Sequence, residues 1–168
     1  MPFTFNQVNA MPDIAANNRF KVYFPTIQGN NFNTLGILVH SITIPQKAVG
    51  HIQVRLQDQS IGFRGGRQFD NQMQITFYEN VAGEALGSIE TWMSYVRSKE
   101  GTSLRKPFYS GEGKLEIYDT VGYVIHTLKL RNMFPITIEY PVLDEGGSAA
   151  MEFTTTFNVD YAELDNAV

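Results

Sequence analysis

The sequence predicts a mainly β protein, a barrel or sandwich of antiparallel strands with one amphipathic α-helix packed against it. Segments that alternate apolar and polar residues dominate the chain, and only one segment shows the helical period. The 12 Phe and 8 Tyr, against one Trp, also favour pleated surfaces. The 168 residues fit a single domain (1–168), long enough to bury a core without disulfides or metals.

Several segments alternate with a period of two and are predicted as strands: 19–24, 72–77, 114–118 and 123–130. The last strand is predicted over 153–161, with one face made of Phe153, Thr155, Phe157, Val159 and Tyr161. The run from Leu35 to Ile44 is almost continuously apolar, which is typical of a strand covered on both faces. We expect Pro45 to end that strand, because proline cannot donate to a ladder.

One segment has the helical period. Between Glu84 and Ser98, apolar residues recur at steps of three and four, as Leu86, Ile89, Met93 and Val96. The spacing predicts a helix that plugs one end of the barrel or covers a sheet face, with Trp92 on the flank of its apolar stripe. Gly101 can take the left-handed conformation that stops it.

Two segments are predicted as arms. The N-terminal residues 1–18 are Asn-rich and are predicted as a loop-like arm. Residues 48–63 alternate apolar and polar side chains around a tip at Asp58, Gln59 and Ser60. Such a segment is either an ordinary hairpin on the domain or a projecting arm that pairs with a neighbour, and the residues alone leave both interpretations open.

No catalytic, cofactor or metal site is predicted, so we expect a protein that is not an enzyme. His40, His51 and His126 stand far apart and lack metal-ligand spacing. The glycine-rich residues 62–67 lack the Lys-Ser/Thr pair of a phosphate loop, which favours a turn or bulge. The net charge of −4 does not indicate a basic nucleic-acid surface, and no apolar run is long enough for insertion into a membrane.

A resemblance begins at Gly65-Gly66-Arg67-Gln68-Phe69-Asp70, which leads into the alternating strand Met73–Phe77 and then the single helix. This order resembles the tail tube proteins of contractile-tailed bacteriophages, which are related to type VI secretion tube proteins. Residues 128–135 look like that family's strand ending in a bulky residue and proline, and 153–161 are similar to its closing strand. Ala162 departs from the pattern, since the family often has a further aromatic there.

The resemblance implies a specific role. Six such subunits form a ring, and rings stack into a hollow tube through which DNA is ejected into the host. The implied partners are further copies of the chain, a tail sheath protein outside, a tape-measure protein and transiting double-stranded DNA in the lumen, and baseplate and tail terminator proteins at the ends. The implied location is the virion, with assembly in the host bacterial cytoplasm.

Two sets of residues are candidates for that role. The arm is the candidate contact between subunits or rings, through Val54, Arg55, Leu56, Asp58, Ser60, Ile61 and Phe63. Two strand faces are neutral or acidic, and at least one of them is expected to line the lumen, because lysines and arginines there would retard DNA. These faces comprise Gln72, Gln74 and Thr76, and Glu152, Thr154, Thr156, Asn158 and Asp160. The alternative is that they face solvent or the sheath.

Two further functions stay open at this point. The first is a tube protein of a related injection machine, a type VI secretion or extracellular contractile system, which shares fold and mechanism. The second is a β-sandwich module that binds a glycan or a host protein through loop aromatics, for which Phe108 and Tyr109 are the candidates.

Overall fold

A computed structural model describes residues 18–56, 59–98, 100–143, 145–146 and 149–165. The predicted N-terminal arm therefore lies outside the described residues except for Asn18, and so does Asp58 at the predicted tip. The mainly β class with one main helix is confirmed. The described strands are β1 (Phe20–Tyr23), β2 (Thr26–Ile27), β3 (Asn30–Asn31), β4 (Val39–Thr43), β5 (Lys47–Leu56), β6 (Gln59–Phe69), β7 (Gln72–Tyr78), β8 (Gly111–Tyr118), β9 (Val124–Glu139), β10 (Glu152–Asn158) and β11 (Tyr161–Asp165).

The main sheet has seven strands and antiparallel pairing throughout. Its order is β1-β8-β9-β10-β7-β4, and β11 also pairs with β9. The first half of the long strand β9 pairs with β8 and β11, and its second half pairs with β10. Asn132, with a φ of 52°, lies where β9 passes from one set of neighbours to the other. Asparagine tolerates this left-handed conformation better than most residues do.

Helix α1 (Glu84–Val96) covers the inner side of this sheet, close to the predicted bounds. It buries Ala85, Ile89 and Trp92. The indole ring stacks on Phe32 at 5.0 Å between centroids, and its N–H donates to the Tyr109 carbonyl at 2.7 Å, in the short helix α2 (Lys106–Tyr109). Trp92 thus lies at the centre of the buried stripe, whereas the spacing predicts it on the flank. The indole can be buried there because the Tyr109 carbonyl satisfies its one polar group.

The start of α1 is fixed by a residue that the periodicity does not reveal. The Glu79 carboxylate accepts hydrogen bonds from the backbone N–H groups of Ala85 at 3.0 Å and Leu86 at 2.7 Å. The Asn80 side-chain oxygen accepts the N–H of Glu84 at 3.0 Å. These acceptors satisfy the first turn, whose N–H groups have no partners inside the helix, and a carboxylate is favoured at this positive end.

The predicted strand over Leu35 to Ile44 is wrong in its first half. Residues Asn33–Ile37 form a 3-10 helix, which buries Leu35 and leaves Ile37 exposed. The strand itself, β4, is only half-buried because it pairs with β7 alone at the end of the sheet. It ends before Pro45, as expected.

The predicted closing strand over 153–161 is two strands. Its odd-numbered residues share the buried face up to Val159, but Tyr161 is exposed and Ala162 is buried instead. The break at Val159 and Asp160 moves the chain from beside the second half of β9 to beside its first half. Pro135 also does not end its strand: β9 runs on to Glu139, and the missing N–H falls at an irregularity in the β9–β10 ladder.

Candidate functional site: an uncovered hairpin and a polar sheet face

The predicted arm is a two-stranded sheet of its own. Strands β5 and β6 pair with each other from Lys47 opposite Phe69 to Leu56 opposite Gln59, and neither belongs to the main sheet. The ladder shifts register between Val49 and His51, opposite the glycine pair at 65 and 66. A Cβ added at Gly65 would lie 2.8 Å from the Gly50 backbone, so the strands approach too closely there for any side chain. The glycine-rich stretch is therefore a bulge, which confirms the plainer of its two interpretations.

The β5–β6 hairpin (residues 47–69, "the hairpin" below) has two unlike faces beyond that bulge. Ile52 lies opposite Phe63, and Val54 lies opposite Ile61. These four apolar side chains share one face, since residues two apart on a strand point to the same side. The other face is polar and basic, and it carries His51, Gln53, Arg55, Ser60 and Arg64.

Beyond its base, where Lys47 and Phe69 pack on the Tyr161 ring, no described part of the chain buries the hairpin. Among its described side chains none is buried, and Ile52 and Phe63 are 58 % and 54 % exposed. An isolated two-stranded hairpin is marginally stable in water, and it becomes stable when its apolar face packs against something. The described residues therefore leave the apolar face of this long ladder open, and an apolar surface of this kind is typical of an interaction site.

The two predicted polar strand faces are one surface. Strands β7 and β10 pair so that Gln74 lies opposite Thr156 and Thr76 opposite Thr154. The two threonine hydroxyls lie 3.0 Å apart. Gln72 lies opposite Asn158 in the same register. The surface is the side of the sheet opposite the core, because the residues between these positions, such as Ile75 and Phe77, are fully buried.

Neighbouring strands extend this surface with residues that the sequence patterns did not single out. Ser41 and Thr43 of β4 pair with Thr76 and Gln74, and Thr137 and Glu139 of β9 pair with Thr156 and Thr154. The whole surface, called the polar face below, comprises Ser41, Thr43, Gln72, Gln74, Thr76, Thr137, Glu139, Thr154, Thr156 and Asn158. It contains no lysine or arginine. The alternation of Thr137 and Glu139 with apolar neighbours is a signal that could have found two of the missed residues.

Two predicted members of this surface have partners of their own. Glu152 lies 3.2 Å from His40 Nδ1, and the imidazole ring stacks on Tyr78 at 4.5 Å. Asp160 falls beyond the end of β10, where it is ion-paired with Lys106 and accepts a hydrogen bond from the Asn132 amide at 2.9 Å. The Lys106 ammonium first, and then the Asn132 and Asn158 side-chain amides, hold the pKa of Asp160 below its usual range. Asp160 thus ties α2 to the sheet and is not a free charge.

The other part of the same sheet side is charged but internally paired. Lys129 lies 2.7 Å from Asp165, and Arg131 bridges Glu112 at 3.0 Å and Glu163 at 3.4 Å. These pairs lie on the outward side of β8, the first half of β9 and β11. Exposed pairs of this kind contribute little to stability, yet they leave a surface with alternating charge beside a neutral one.

No group of three or more His, Cys, Asp or Glu that could hold a metal ion occurs within the part of the chain that the structure describes. No helix among the described residues is long and apolar enough to cross a membrane.

Comparisons with known proteins agree on the fold. A chain of the anti-feeding prophage baseplate superposes with a TM-score of 0.68 at 14 % identity, covering 93 % of this chain and 98 % of that one. A chain of the anti-feeding prophage tube terminating cap gives 0.68 at 14 % identity over 94 % and 95 %. A chain of the PVC sheath-tube complex, an extracellular contractile injection system in its extended state, gives 0.62 at 14 % identity over 99 % and 100 %.

No protein-family model matches the chain, and no curated protein sequence does. At such low identities the superpositions show the fold alone. The fold of this chain is that of chains in a baseplate, a tube terminating cap and a sheath-tube complex of contractile injection systems, so the predicted resemblance is confirmed at the level of the fold.

Proposed function

We propose that this protein is a structural subunit of the inner tube of a contractile injection machine, whose hexameric rings stack into a hollow conduit. The observation that carries the proposal is the fold, which matches whole chains of such machines from end to end. The uncovered hairpin supports it independently, since a subunit that assembles with its own copies can leave elements incomplete until a neighbour covers them. A structural subunit needs no catalytic group, so we infer no enzymatic activity.

The hairpin is the proposed contact between subunits or rings. Val54, Ile61 and Phe63 present apolar area that the described residues leave exposed, and Arg55 lies on the opposite face. Ser60 pairs with Arg55 next to the turn.

The polar face is the proposed lining of the lumen. Its hydroxyl and amide groups are neutral, and Glu139, its one acid, would repel phosphates. A surface without lysine or arginine makes no ion pairs with DNA, so a polyanion can slide past it. The same surface would also suit a protein cargo.

The proposed partners follow from this placement. A sheath protein surrounds the tube, and terminator and baseplate proteins close its ends, as the names of the similar structures suggest for their own assemblies. Two machines fit this chain. In a phage tail of a virion assembled in the bacterial cytoplasm, the lumen holds a tape-measure protein and then double-stranded DNA. In an extracellular injection system, it holds another cargo.

Electron microscopy of the purified protein tests the assembly. We expect rings or hollow tubes in negative stain, and sedimentation of most of the protein above a critical concentration. A species that stays monomeric at every concentration and salt would overturn the proposal and would favour a binding module.

Cysteine labelling tests the lumen, because the chain has no cysteine of its own. In assembled tubes, a thiol at Gln74→Cys should react with a small maleimide but be shielded from one that carries a large polymer. Glu163→Cys, on the charged part of the sheet, is the matched comparison and should stay open to both reagents. If Glu163→Cys is shielded and Gln74→Cys is not, the polar face does not line the lumen.

A further inference from the structure

One side of the hairpin carries all of its lysines and arginines. On β5, Lys47, His51 and Arg55 are separated by even numbers of residues, so they point to the same side. Arg64 and Arg67 of β6 share this side, because the bulge at the glycine pair absorbs one extra residue between them. We call these five residues, Lys47, His51, Arg55, Arg64 and Arg67, the basic strip.

The cations of the basic strip are exposed and have no ion pair with any described residue. On the outward side of the sheet, by contrast, Lys114, Lys129 and Arg131 each lie 2.7–3.0 Å from a carboxylate. The one acid of the hairpin, Asp58, lies outside the described residues. The described residues thus leave a line of positive charge uncompensated on a chain whose net charge is −4.

A cavity of about 350 Å³ lies at the base of the basic strip. The Tyr161 ring lines it, with the Lys47 ammonium 5.3 Å from the ring centre and the Phe69 ring centre 6.1 Å away. Val49 and Arg67 also line it. Two cations among aromatic and apolar walls suit an anion that is carried on an apolar stem, such as an acidic side chain of a peptide.

The contact with Tyr161 fixes the direction in which the basic strip faces. Tyr161 shares the outward side of β11 with Glu163, since the two are two residues apart and Ala162 between them is buried. The strip therefore lies on the same side as the charged part of the sheet. The opposite side of the hairpin, with Ile52 and Phe63, is the proposed contact between copies, so the strip is available to a different partner.

We propose that the basic strip binds an extended acidic segment of a partner protein other than a copy of this chain. Successive positions on one side of a strand are about 6.8 Å apart, and carboxylates at alternate positions of an extended peptide have the same repeat. The strip runs from residue 47 to residue 55, roughly 27 Å, which matches about eight residues of extended peptide. Charge complementarity then sets the register of the peptide on the strip.

The chain itself does not supply such a segment. Nowhere in its sequence do three acids stand at successive alternate positions. The nearest approach is Glu163 with Asp165, and these two carboxylates are already paired with Arg131 and Lys129. The partner is therefore a different protein, and its binding goes beyond the proposed tube function.

A nucleic acid duplex fits the basic strip less well than a peptide does. Glu112, Glu163 and Asp165 lie on the same side of the molecule, and their carboxylates would repel a second line of phosphates. Four cations are also fewer than the about six to ten phosphate contacts of strong duplex binding. An extended peptide is narrow enough to follow the strip alone.

Fluorescence anisotropy of a labelled peptide tests the inference on the subunit, below any critical concentration for assembly. The probe is a peptide of six Glu-Thr repeats, and the comparison peptide has the same composition with its glutamates consecutive. The alternating peptide should bind at least about threefold more tightly, because the other directs half of its carboxylates away from the strip. Equal binding of the two peptides, or none, would overturn the inference.

Charge reversal locates the site. Arg64→Glu with Arg67→Glu should weaken binding of the alternating peptide by at least about tenfold, since attraction becomes repulsion at two positions of the strip. The matched control, Arg97→Glu with Arg105→Glu, changes the net charge equally at two exposed arginines outside the hairpin and should stay within about twofold. If circular dichroism shows that the first variant is unfolded, Arg55→Glu supplies the same test, with an expected loss of about threefold.

The remaining outcomes are distinct. A control variant that loses as much binding as the strip variant would show an effect of net charge alone and overturn the inference. So would a short DNA duplex that binds more tightly than the peptide and is lost in the same variants, because the strip would then be a phosphate site. Peptide binding by a chain that forms no tubes would overturn the proposed function alone, and tubes without peptide binding would overturn this inference alone.

Discussion

The apolar face of the hairpin gives the most direct prediction. Replacing Ile52 and Phe63 together by serine removes one cross-strand apolar pair. Fully burying an isoleucine or phenylalanine side chain is worth about 1.5–3 kcal/mol. Slightly more than half of each side chain is exposed in the monomer, so burial in an assembly adds about 1–1.5 kcal/mol per residue.

The double substitution should therefore weaken each docked hairpin by about 2–3 kcal/mol, or roughly 30- to 150-fold in the equilibrium constant. The critical concentration for tubes, measured by sedimentation, should rise accordingly. The melting temperature of the unassembled subunit should stay unchanged, because neither side chain belongs to the buried core.

Val121→Ser with Tyr123→Ser is the matched control. It removes two exposed apolar side chains from the β8–β9 turn and should change neither quantity. Tubes that form at the wild-type concentration in the hairpin variant would refute an apolar contact by this face. A clear drop in the monomer's melting temperature would show instead that the face packs within the subunit.

Five further predictions concern the fold itself, each measured by chemical or thermal unfolding of the monomer. Glu79→Gln should lower the free energy of unfolding by about 1–2 kcal/mol, because the helix loses a charged acceptor; an unchanged value would contradict the cap. Thr155→Val should be neutral or stabilising by up to about 1 kcal/mol, since the buried hydroxyl has no partner in the described structure. Gly36→Ala places a Cβ 2.2 Å from a backbone oxygen and should cost about 2 kcal/mol or more. Gly87→Ala, with nothing within 4 Å, should gain up to about 1 kcal/mol in the helix. The lowered pKa of Asp160 adds stability that is present above about pH 4 and is lost as the pH falls further, so Asp160→Asn should flatten that acid decline.

Local periodicity predicted the elements whose environment is uniform along their length. Strand β7 and helix α1 bury one face throughout, so their apolar residues keep one period. The errors fall where the geometry changes without a change in composition. Leu35 and Ile42 are both apolar, yet Leu35 lies in a 3-10 helix and Ile42 in β4. The close approach of Gly36 to the Val22 carbonyl is a tertiary contact.

The closing strand fails for a related reason. Its break at Val159 is set by the path of β9, since the Asp160 N–H donates to the Arg131 carbonyl at 3.1 Å beside the bend at Asn132. No residue type near 160 indicates in the sequence that the chain bends there. Pairing with the distant strand β9 therefore decides where the closing strand breaks.

For the candidate surfaces too, local patterns predict some features and long-range strand pairing decides the others. The residue types of the polar face could be predicted strand by strand, because polar and apolar positions alternate. That Gln74 and Thr156 form one surface could not, since it depends on the pairing of strands about 80 residues apart. The hairpin could be predicted as an element, but whether the domain covers it depends on the packing of every other strand.

Three features of the monomer are unfavourable when it stands alone. The hairpin exposes an apolar face, loops expose Ile37, Val81 and Val142, and β4 pairs on one side only among the described strands. Each feature invites association, and natural monomers usually protect such surfaces. A binding module for a glycan or a host protein needs one such surface and would leave the others unexplained. A subunit that is covered by copies of itself, as in the proposed function, would account for all three surfaces.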